Sequence, residues 1–358
     1  MDQTVTDGRI TFAADEAAVA RCNIRLRTAD RILLKIASFE ARDFDELFDA
    51  TKELPWADWL PKSASFPVRG KSVRSQLHHV PTCQAMVKKA IVEQLKSKYN
   101  VNWFAEVSPE IPIEVSILKD RATLSLDTSG KGLHKRGYRT LGTDSPLRET
   151  LSAGMVLLSY WNKDRTFVDP FCGSGTIAIE AAMIGRNIAP GIKRDFLAEK
   201  WPAISQRYWS EAREEANDLC LASLEIPLIA TDRNSEVLKK ARYHARQAGV
   251  FDEIHFQQKE FSDFTTQRKF GCVISNPPYG ERTGSKQEVE ELYRMIGQKF
   301  RPLETWSIYV LTSHEQFEGL YGKQAARRRK LYNGKISCTF YQYAGLRPPK
   351  RKGMEKIP

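Results

Sequence analysis

The spacing of apolar residues changes character partway along the chain. Up to about residue 127, short alternating stretches and amphipathic segments follow one another. The clearest is a hairpin over 113–126, in which apolar and polar residues alternate on both sides of a turn at Lys119-Asp120. A helix over 81–98, opened by a proline in its first turn, precedes this hairpin. The pattern predicts a region of mixed α+β structure.

From residue 147 onward, apolar stretches of strand length alternate with stretches of helix length. This alternation is typical of an α/β fold with a mostly parallel sheet. Gly185 and Gly249 are expected to end two of the helices, Ser235 is expected to cap the second of these, and Asn333-Gly334 predicts a hairpin. The predicted strands are 166–168, 228–230, 254–257, 272–275 and 306–311, and the predicted helices are 147–161, 177–184, 236–248 and 288–300, with a helical insertion at 194–223.

The composition is that of a globular protein with a basic surplus. Of its 358 residues, 41% are hydrophobic and 28% are charged, and the net charge is +11. Collagen-like and wholly disordered classes are therefore excluded, and the surplus favours a polyanionic partner such as nucleic acid. The six cysteines form no Cys-x-x-Cys pair, so neither a metal site nor a disulfide framework is predicted. Since we find no signal peptide and no apolar run of about 18 residues, we expect a cytoplasmic protein without a membrane span.

A glycine-rich segment follows the first predicted strand of the C-terminal region. It reads Asp-Pro-Phe-Cys-Gly-Ser-Gly-Thr at 169–176. Glycines at the carboxyl end of a strand let the backbone approach a ligand where a Cβ would collide. The segment is neither a Gly-x-Gly-x-x-Gly fingerprint nor a phosphate-binding loop, which disfavours nucleoside triphosphates. It predicts a ligand site, and the alternative is an ordinary strand-to-helix turn.

A second motif, Ser-Asn-Pro-Pro-Tyr-Gly at 275–280, follows the predicted strand 272–275. Its prolines restrict the backbone, so Asn276 and Tyr279 are held at a strand end. An amide oxygen and a backbone carbonyl can accept both hydrogens of an exocyclic amine, while an aromatic ring stacks on the base. These are the requirements of an amine nucleophile. Taken alone, the same residues could form only a tight turn.

Together the two motifs resemble those of class I S-adenosylmethionine-dependent methyltransferases of the amino-methylating branch. The segments Gly-Leu-His-Lys-Arg-Gly-Tyr-Arg at 132–139 and Ser-Pro-Leu-Arg-Glu-Thr-Leu at 145–151 resemble the THUMP-domain RNA methyltransferases. Over 8–342, the chain is most similar to the bacterial group that methylates the 2-amino group of a guanine in 23S ribosomal RNA. The resemblance implies S-adenosylmethionine as the cofactor and RNA, as 23S rRNA or a pre-ribosomal particle, as the partner.

The resemblance also implies the architecture. We expect an α/β, Rossmann-like class I methyltransferase domain with a seven-stranded mixed sheet, preceded by an α+β THUMP region. Members of the group usually have a further strand and helix ahead of the segment matching 8–12, so we expect a truncated ferredoxin-like N-terminal part. The expected divisions are a partial ferredoxin-like subdomain at 1–60, a THUMP domain at 61–130, a linker at 131–146, a methyltransferase domain at 147–345 and a basic tail at 346–358.

Roles for individual residues follow from the same resemblance. Asp232 matches the acidic residue that binds the ribose hydroxyls, as its place at a strand end also predicts, and the alternative is a helix cap. Glu260 stands where many relatives have an aspartate that contacts the adenine amine, and Asp263 is close enough to take that role. The cofactor-binding set is Asp169, Phe171, Gly173, Ser174, Gly175, Thr176, Asp232, Glu260 and Asp263, and the catalytic set is Asn276, Pro277 and Tyr279.

Clusters of basic residues are predicted to line a path for RNA, and each cluster alone is also typical of a solvated face. The arginines at 327–329 precede the predicted hairpin, which borders the substrate side in this fold. The predicted RNA-binding residues are Lys71, Arg74, Lys135, Arg136, Arg139, Arg327, Arg328 and Arg329, with a further basic group at 350–352.

Three other functions stay open on the sequence. An adenine-N6 DNA methylase would share both motifs but has no use for a THUMP-like region. A protein-glutamine methyltransferase also uses Asn-Pro-Pro-Tyr. A non-enzymatic RNA-binding assembly factor would need neither motif, and the intact Gly173, Gly175, Asp232 and Asn276 argue against it. For the favoured function, the expected reaction is direct methyl transfer to the amine of an unpaired or flipped base.

Overall fold

The computed structural model describes residues 3–6, 8–142, 147–279 and 285–349. The chain divides into two compact units, each formed by two stretches of sequence. The N-terminal unit contains Met1–Leu133 and Ala189–Asp218, and the C-terminal unit contains His134–Ile188 and Leu219–Pro358. Residues 145, 146, 280 and 350–352, which the motifs and the basic group include, lie outside the described residues.

Strands and helices alternate over most of the described chain. The strands are β1 (Gln3–Thr6), β2 (Arg9–Phe12), β3 (Leu33–Glu40), β4 (Val68–Val73), β5 (Ile113–Leu118), β6 (Arg121–Asp127), β7 (Phe167–Asp169), β8 (Leu228–Asp232), β9 (Ile254–Gln258), β10 (Cys272–Ser275), β11 (Ser307–Thr312), β12 (Arg327–Asn333) and β13 (Ile336–Tyr343). The helices are α1 (Ala17–Arg25), α2 (Phe44–Lys52), α3 (Val80–Tyr99), α4 (Glu149–Leu157), α5 (Thr176–Gly185), α6 (Gln206–Asp218), α7 (Ser235–Ala248), α8 (Lys286–Phe300) and α9 (Phe317–Tyr321).

The N-terminal unit contains a four-stranded sheet in the order β3-β6-β5-β4 and a separate hairpin of β1 and β2. The predicted hairpin is confirmed, because β5 and β6 pair antiparallel and Lys119 and Asp120 turn the chain with φ of 52° and 60°. The predicted helix over 81–98 is α3, whose buried residues are Cys83, Val87, Ala90, Ile91 and Leu95. The expected truncation of the ferredoxin-like part stays a prediction.

Residues 189–218 belong to the N-terminal unit, although the expected divisions placed them in the methyltransferase domain. Trp209 on α6 is buried in the same apolar cluster as the strands of the four-stranded sheet. Trp201 donates its indole N–H to the carbonyl of Glu110 over 2.9 Å, and Arg25 on α1 pairs with Glu215 over 2.9 Å. These contacts explain why a stretch from the middle of the sequence folds with the N-terminal unit.

The C-terminal unit is built around a seven-stranded mixed sheet, as expected. Its order is β12-β13-β11-β10-β7-β8-β9. Strand β13 runs antiparallel to β11 and to β12, and the pairs from β11 to β9 are parallel. The carboxyl ends of β7, β8, β9 and β10 therefore lie along one edge of the sheet, where ligands bind in open α/β folds.

One of the predicted helix signals is wrong, and the expected ends of α5 and α7 are confirmed. Asn234, not Ser235, caps α7, because its side-chain oxygen accepts from the backbone N–H of Glu236 over 2.9 Å. Gly185 is the last residue of α5, and the left-handed residue that follows the helix is Asn187, with φ of 56°. Gly249 ends α7 in the left-handed conformation, as predicted.

Candidate functional site

A cavity of about 1000 Å³ opens at the carboxyl ends of β7, β8, β9 and β10 in the C-terminal unit. The two motifs of the sequence meet there. Phe171 and Gly173 come from the glycine-rich segment, and Asn276, Pro277 and Tyr279 come from the second motif. The strand ends thus bring together residues that are far apart in the sequence.

The glycines of the first motif have different structural roles. Gly173 has φ of 52°, and a Cβ there would meet nothing within 4 Å, so this backbone is open to a ligand. Gly175 has φ of 83°, and a Cβ there would lie 3.1 Å from the Cβ of Ala241 on α7. Gly175 is therefore needed for close packing of two helices, and Gly173 for the cavity wall. Ser174 and Thr176 are buried and do not line the cavity.

Asp169 ends β7 and is fully buried, and it does not itself line the cavity, although the adjacent Pro170 and Phe171 do. One carboxylate oxygen accepts from the N–H of Phe171 over 3.2 Å and from the hydroxyl of Ser275 over 3.1 Å, so this side chain joins the two motifs. The other oxygen is buried without a hydrogen-bond partner among the described residues. Burial raises the pKa of Asp169 from 3.8 to about 7, although the two hydrogen bonds oppose the rise. An orphaned carboxylate oxygen is well suited to accept from an ammonium group.

Asp232 ends β8 and faces the cavity. Its two oxygens accept from the N–H of Gly173 over 3.0 Å and from the N–H of Asn234 over 2.9 Å. Glu260, after β9, also lines the cavity. Asp263, the alternative to Glu260 in the sequence analysis, is exposed on a short turn and does not line it. Of the two acidic candidates, only Glu260 is placed to contact a ligand in this cavity.

The catalytic candidates form a short, braced loop after β10. The hydroxyl of Tyr279 donates to the side-chain oxygen of Asn276, so the two lie in contact. Both residues are partly exposed toward the cavity, whereas Pro277 is buried. The loop therefore presents an amide side chain and an aromatic ring to the same space.

Several residues that line the cavity lie outside both sequence motifs. Leu292 and Met295 come from α8, and Asn333 and Ile336 come from the β12–β13 hairpin. The hairpin itself was predicted from its Asn-Gly turn. Its place at the border of the substrate side was expected, but Asn333 and Ile336 were not singled out as cavity residues.

Of the predicted RNA-binding arginines, Arg136 is contradicted by its burial, and Arg139 is partly used inside the C-terminal unit. The Arg136 side chain is 1% exposed and pairs with the fully buried Glu180 over 2.8 Å. Arg139 is mostly buried, pairs with Glu149 over 3.5 Å and donates to the carbonyl of Leu147 over 2.9 Å. A buried guanidinium that neutralises a buried carboxylate is not available to a phosphate.

The other basic candidates are at the surface. Arg74, Lys135 and Arg327 are exposed. Lys71 is exposed and lies 3.3 Å from Glu114, Arg328 pairs with Glu318, and Arg329 is partly buried. Their role in binding RNA stays a prediction. Within the described residues, no cluster of three or more His, Cys, Asp or Glu side chains could hold a metal ion. None of the described helices combines the length and apolar character needed to cross a membrane.

Comparisons with known proteins agree with this geometry. Residues 136–342 match the RMKL-like methyltransferase domain, residues 41–127 match the THUMP domain, and residues 1–33 match the RlmL ferredoxin-like domain. The first of these matches contains both motifs and every residue that lines the cavity.

Two relatives illustrate the similarity along the chain. YpsC of Bacillus subtilis, provisionally named an RNA methyltransferase, is 49% identical over 354 residues, which cover 98% of this chain and 92% of YpsC. The ribosomal RNA large subunit methyltransferase K/L of Syntrophotalea carbinolica is 34% identical over 330 residues, which cover 88% of this chain and 46% of that protein. The chain thus spans most of YpsC and about half the length of the K/L relatives.

A solved structure bears on the cofactor. SMU.472, provisionally named a methyltransferase and complexed with SAH, superposes with a TM-score of 0.91 at 41% identity. The match covers 97% of this chain and 93% of that chain. SAH is what S-adenosylmethionine becomes when it has given up its methyl group.

Proposed function

Because this chain belongs to the RMKL-like methyltransferase family and uses S-adenosylmethionine, we propose that it methylates the 2-amino group of a guanine in 23S ribosomal RNA. One observation carries the proposal: the glycine-rich loop with Asp232 and the Asn-Pro-Pro-Tyr loop open into one cavity. A donor held by the first loop and an amine held by the second would be close enough to react. Positioning of this kind supplies about 7–11 kcal/mol of the barrier reduction in favourable cases.

The residues present fit S-adenosylmethionine. Asp232 would accept hydrogen bonds from the ribose hydroxyls, and Gly173 would let the backbone approach the bound molecule. The unpartnered oxygen of Asp169 would accept from the methionine ammonium, next to Phe171. Glu260 would accept from the adenine amine. When bound, the cofactor supplies a methyl group on a positively charged sulfur, which is already a good leaving group.

Three other residues that were predicted to bind the cofactor instead shape the glycine-rich loop. Gly175 allows α5 and α7 to pack closely, and Thr176 is the first residue of α5. The carbonyl of Ser174 accepts from the buried His244 over 3.3 Å. We assign these three residues to the shape of the loop, and Gly173 to direct contact with the cofactor.

Asn276 and Tyr279 would hold the nucleophile. The side-chain oxygen of Asn276 and the carbonyl of Pro277 would accept the two hydrogens of the amine, which directs the nitrogen lone pair toward the methyl group. Tyr279 would stack on the base, and its bond to Asn276 would be replaced by the bond from the amine. A duplex hides the amine, so the base must be unpaired or flipped.

RNA is the favoured substrate class because the chain carries a THUMP domain and its relatives are named for RNA and ribosomal RNA. The exposed Lys71, Arg74, Lys135, Arg327 and Arg328 would contact phosphates. Guanine is favoured over adenine because the acceptor Glu291 on α8 also lines the cavity. The Watson–Crick edge of guanine presents N–H donors at two adjacent nitrogens, whereas that of adenine presents an acceptor beside its amine.

Incorporation of a tritiated methyl group tests the proposal. The protein and labelled S-adenosylmethionine are incubated separately with 23S rRNA lacking the modification, with duplex DNA and with a protein extract. Digestion of the labelled RNA should yield N2-methylguanosine. Label in N6-methyladenine of DNA, or in protein glutamine, would replace the proposed substrate, and absence of cofactor binding would indicate a non-enzymatic assembly factor.

A further inference from the structure

The Asn-Pro-Pro-Tyr loop is held from behind by a buried tyrosine on α8. Tyr293 has no exposed surface, and its hydroxyl donates to the carbonyl of Pro278 over 2.8 Å. Its ring meets the rings of His314 and Phe317 edge-on, with centroids 5.4 and 5.0 Å away. Full burial and these ring contacts fix the ring, so the hydroxyl has a defined position relative to the loop.

Thr312, the last residue of β11, determines which way this hydroxyl points. Its Oγ1 lies 2.8 Å from the Tyr293 hydroxyl and accepts from the N–H of His314 over 3.0 Å. Since Tyr293 gives its single proton to Pro278, Thr312 must be the donor in the bond between the two hydroxyls. Burial raises the pKa of Tyr293 to about 12, so the tyrosine keeps its proton at neutral pH. The bonds run in one direction, from His314 through Thr312 and Tyr293 to the loop.

The carbonyl that accepts this bond belongs to the peptide plane joining Pro278 to Tyr279. The proline rings already fix φ at 277 and 278, so ψ is the main freedom left to the backbone there. A hydrogen bond to the Pro278 carbonyl restricts ψ at Pro278 and therefore the placement of Tyr279. Tyr279 in turn contacts Asn276, so a change at this carbonyl reaches both groups that would hold the amine.

We propose that Tyr293, oriented by Thr312, is a positioning residue for the methyl transfer, because its hydroxyl sets the peptide plane that carries Tyr279. The inference rests on the proposed function, in which Asn276 and Tyr279 hold the amine and the base. Tyr293 itself touches neither the amine nor the donor. Its effect is on the geometry of the reacting groups, and small displacements of such groups reduce turnover strongly.

Two tyrosine-to-phenylalanine substitutions provide the test. Tyr293→Phe keeps the ring and removes the bond to Pro278. Tyr343→Phe is the matched control, because Tyr343 is buried in the same apolar cluster and its hydroxyl has no partner among the described residues. For Tyr293→Phe we expect kcat to fall on the order of 10- to 100-fold, with the calorimetric Kd for S-adenosylmethionine unchanged. Tyr343→Phe should keep the kcat of the wild type.

A second pair of variants separates orientation from packing. Thr312→Ser keeps the donor hydroxyl and should retain most of the kcat, whereas Thr312→Val removes the donor at similar volume and should lower it. Thermal unfolding of all four variants shows whether kcat follows stability instead. The inference is overturned if Tyr293→Phe keeps the wild-type kcat, if both phenylalanine variants lose it equally, or if Thr312→Ser and Thr312→Val behave alike.

The proposed function can be contradicted independently of the role of Tyr293. If wild-type protein labels DNA or protein instead of RNA, the guanine assignment is wrong, and the same kcat ratios measured on the labelled substrate still decide the role of Tyr293. If wild-type protein labels none of the three substrates, both the proposed function and the inference built on it are contradicted.

Discussion

Replacement of Asp169 by asparagine should stabilise the protein and weaken its hold on the cofactor. The carboxyl group is fully buried, one of its oxygens has no hydrogen-bond partner among the described residues, and burial raises its pKa from 3.8 to about 7. The asparagine side chain would keep an oxygen for the bonds from Phe171 and Ser275 and would carry no charge. The variant therefore removes the cost of ionisation while preserving the two bonds that join the motifs.

The sign and size of the effect follow from the pKa. In the folded protein Asp169 releases its proton at a higher pH than in the unfolded chain, so the wild type loses stability as the pH rises from about 4 to about 7. The loss is about 1.4 kcal/mol per pH unit within this window and reaches at most about 4 kcal/mol above it. Below pH 4 the carboxyl is protonated in both states, and its ionisation contributes no difference from the variant.

Urea unfolding of both proteins without cofactor, at intervals from pH 5 to pH 8, measures this difference directly. Groups that titrate equally in the two proteins cancel when the free energies of unfolding are subtracted. We expect the advantage of Asp169→Asn to grow from pH 5 to pH 7 and then to level off. Calorimetry at pH 8 should show weaker S-adenosylmethionine binding by the variant, because it lacks the charge for the ammonium. A difference independent of pH, or an unchanged affinity, would refute the reasoning.

Three further substitutions test other parts of the site and fold. Asp232→Ala should weaken S-adenosylmethionine binding in calorimetry, whereas Asp263→Ala should not, and equal effects would remove Asp232 from the site. Tyr279→Ala should raise the KM for RNA, because it loses stacking worth about 1–3 kcal/mol. Tyr279→Phe keeps the ring and should largely keep the wild-type KM. A similar KM in the two variants would exclude stacking. Gly297→Ala should lower the free energy of unfolding by about 1–3 kcal/mol, because its Cβ would lie 2.2 Å from a carbonyl oxygen of α9. Gly319→Ala is the control, because its Cβ would meet nothing within 4 Å. Equal thermal stability of the two variants would show that α8 and α9 separate easily.

The convergence of the two motifs could be predicted from the sequence. Each motif follows a short apolar strand, and the carboxyl ends of parallel strands share an edge of the sheet, so Gly173 and Asn276 had to lie near one another. The hairpin turned at Lys119-Asp120 was equally predictable, because alternation and turn residues agree there. In these cases the signal is local and the sheet topology supplies the rest.

The other predictions depended on contacts between residues that are far apart in the sequence. Arg136 lies in a basic stretch and looks like a surface residue, but its partner Glu180 is on α5 and no local pattern links the two. Residues 189–218 read as an insertion of the C-terminal domain, and only contacts such as that of Trp201 with the carbonyl of Glu110 place them in the N-terminal unit. The choice between Glu260 and Asp263 depended on which of two neighbouring acidic residues faces the cavity, which spacing alone does not determine.

The central claim is that one cavity holds the methyl donor at one loop and an amine at the other, and the variant Asn276→Ala tests it most directly. Methyl incorporation into 23S rRNA lacking the modification and calorimetric binding of S-adenosylmethionine are measured on the same preparation. The account predicts that incorporation falls by orders of magnitude while the Kd for S-adenosylmethionine stays near that of the wild type. Wild-type incorporation by Asn276→Ala would contradict it.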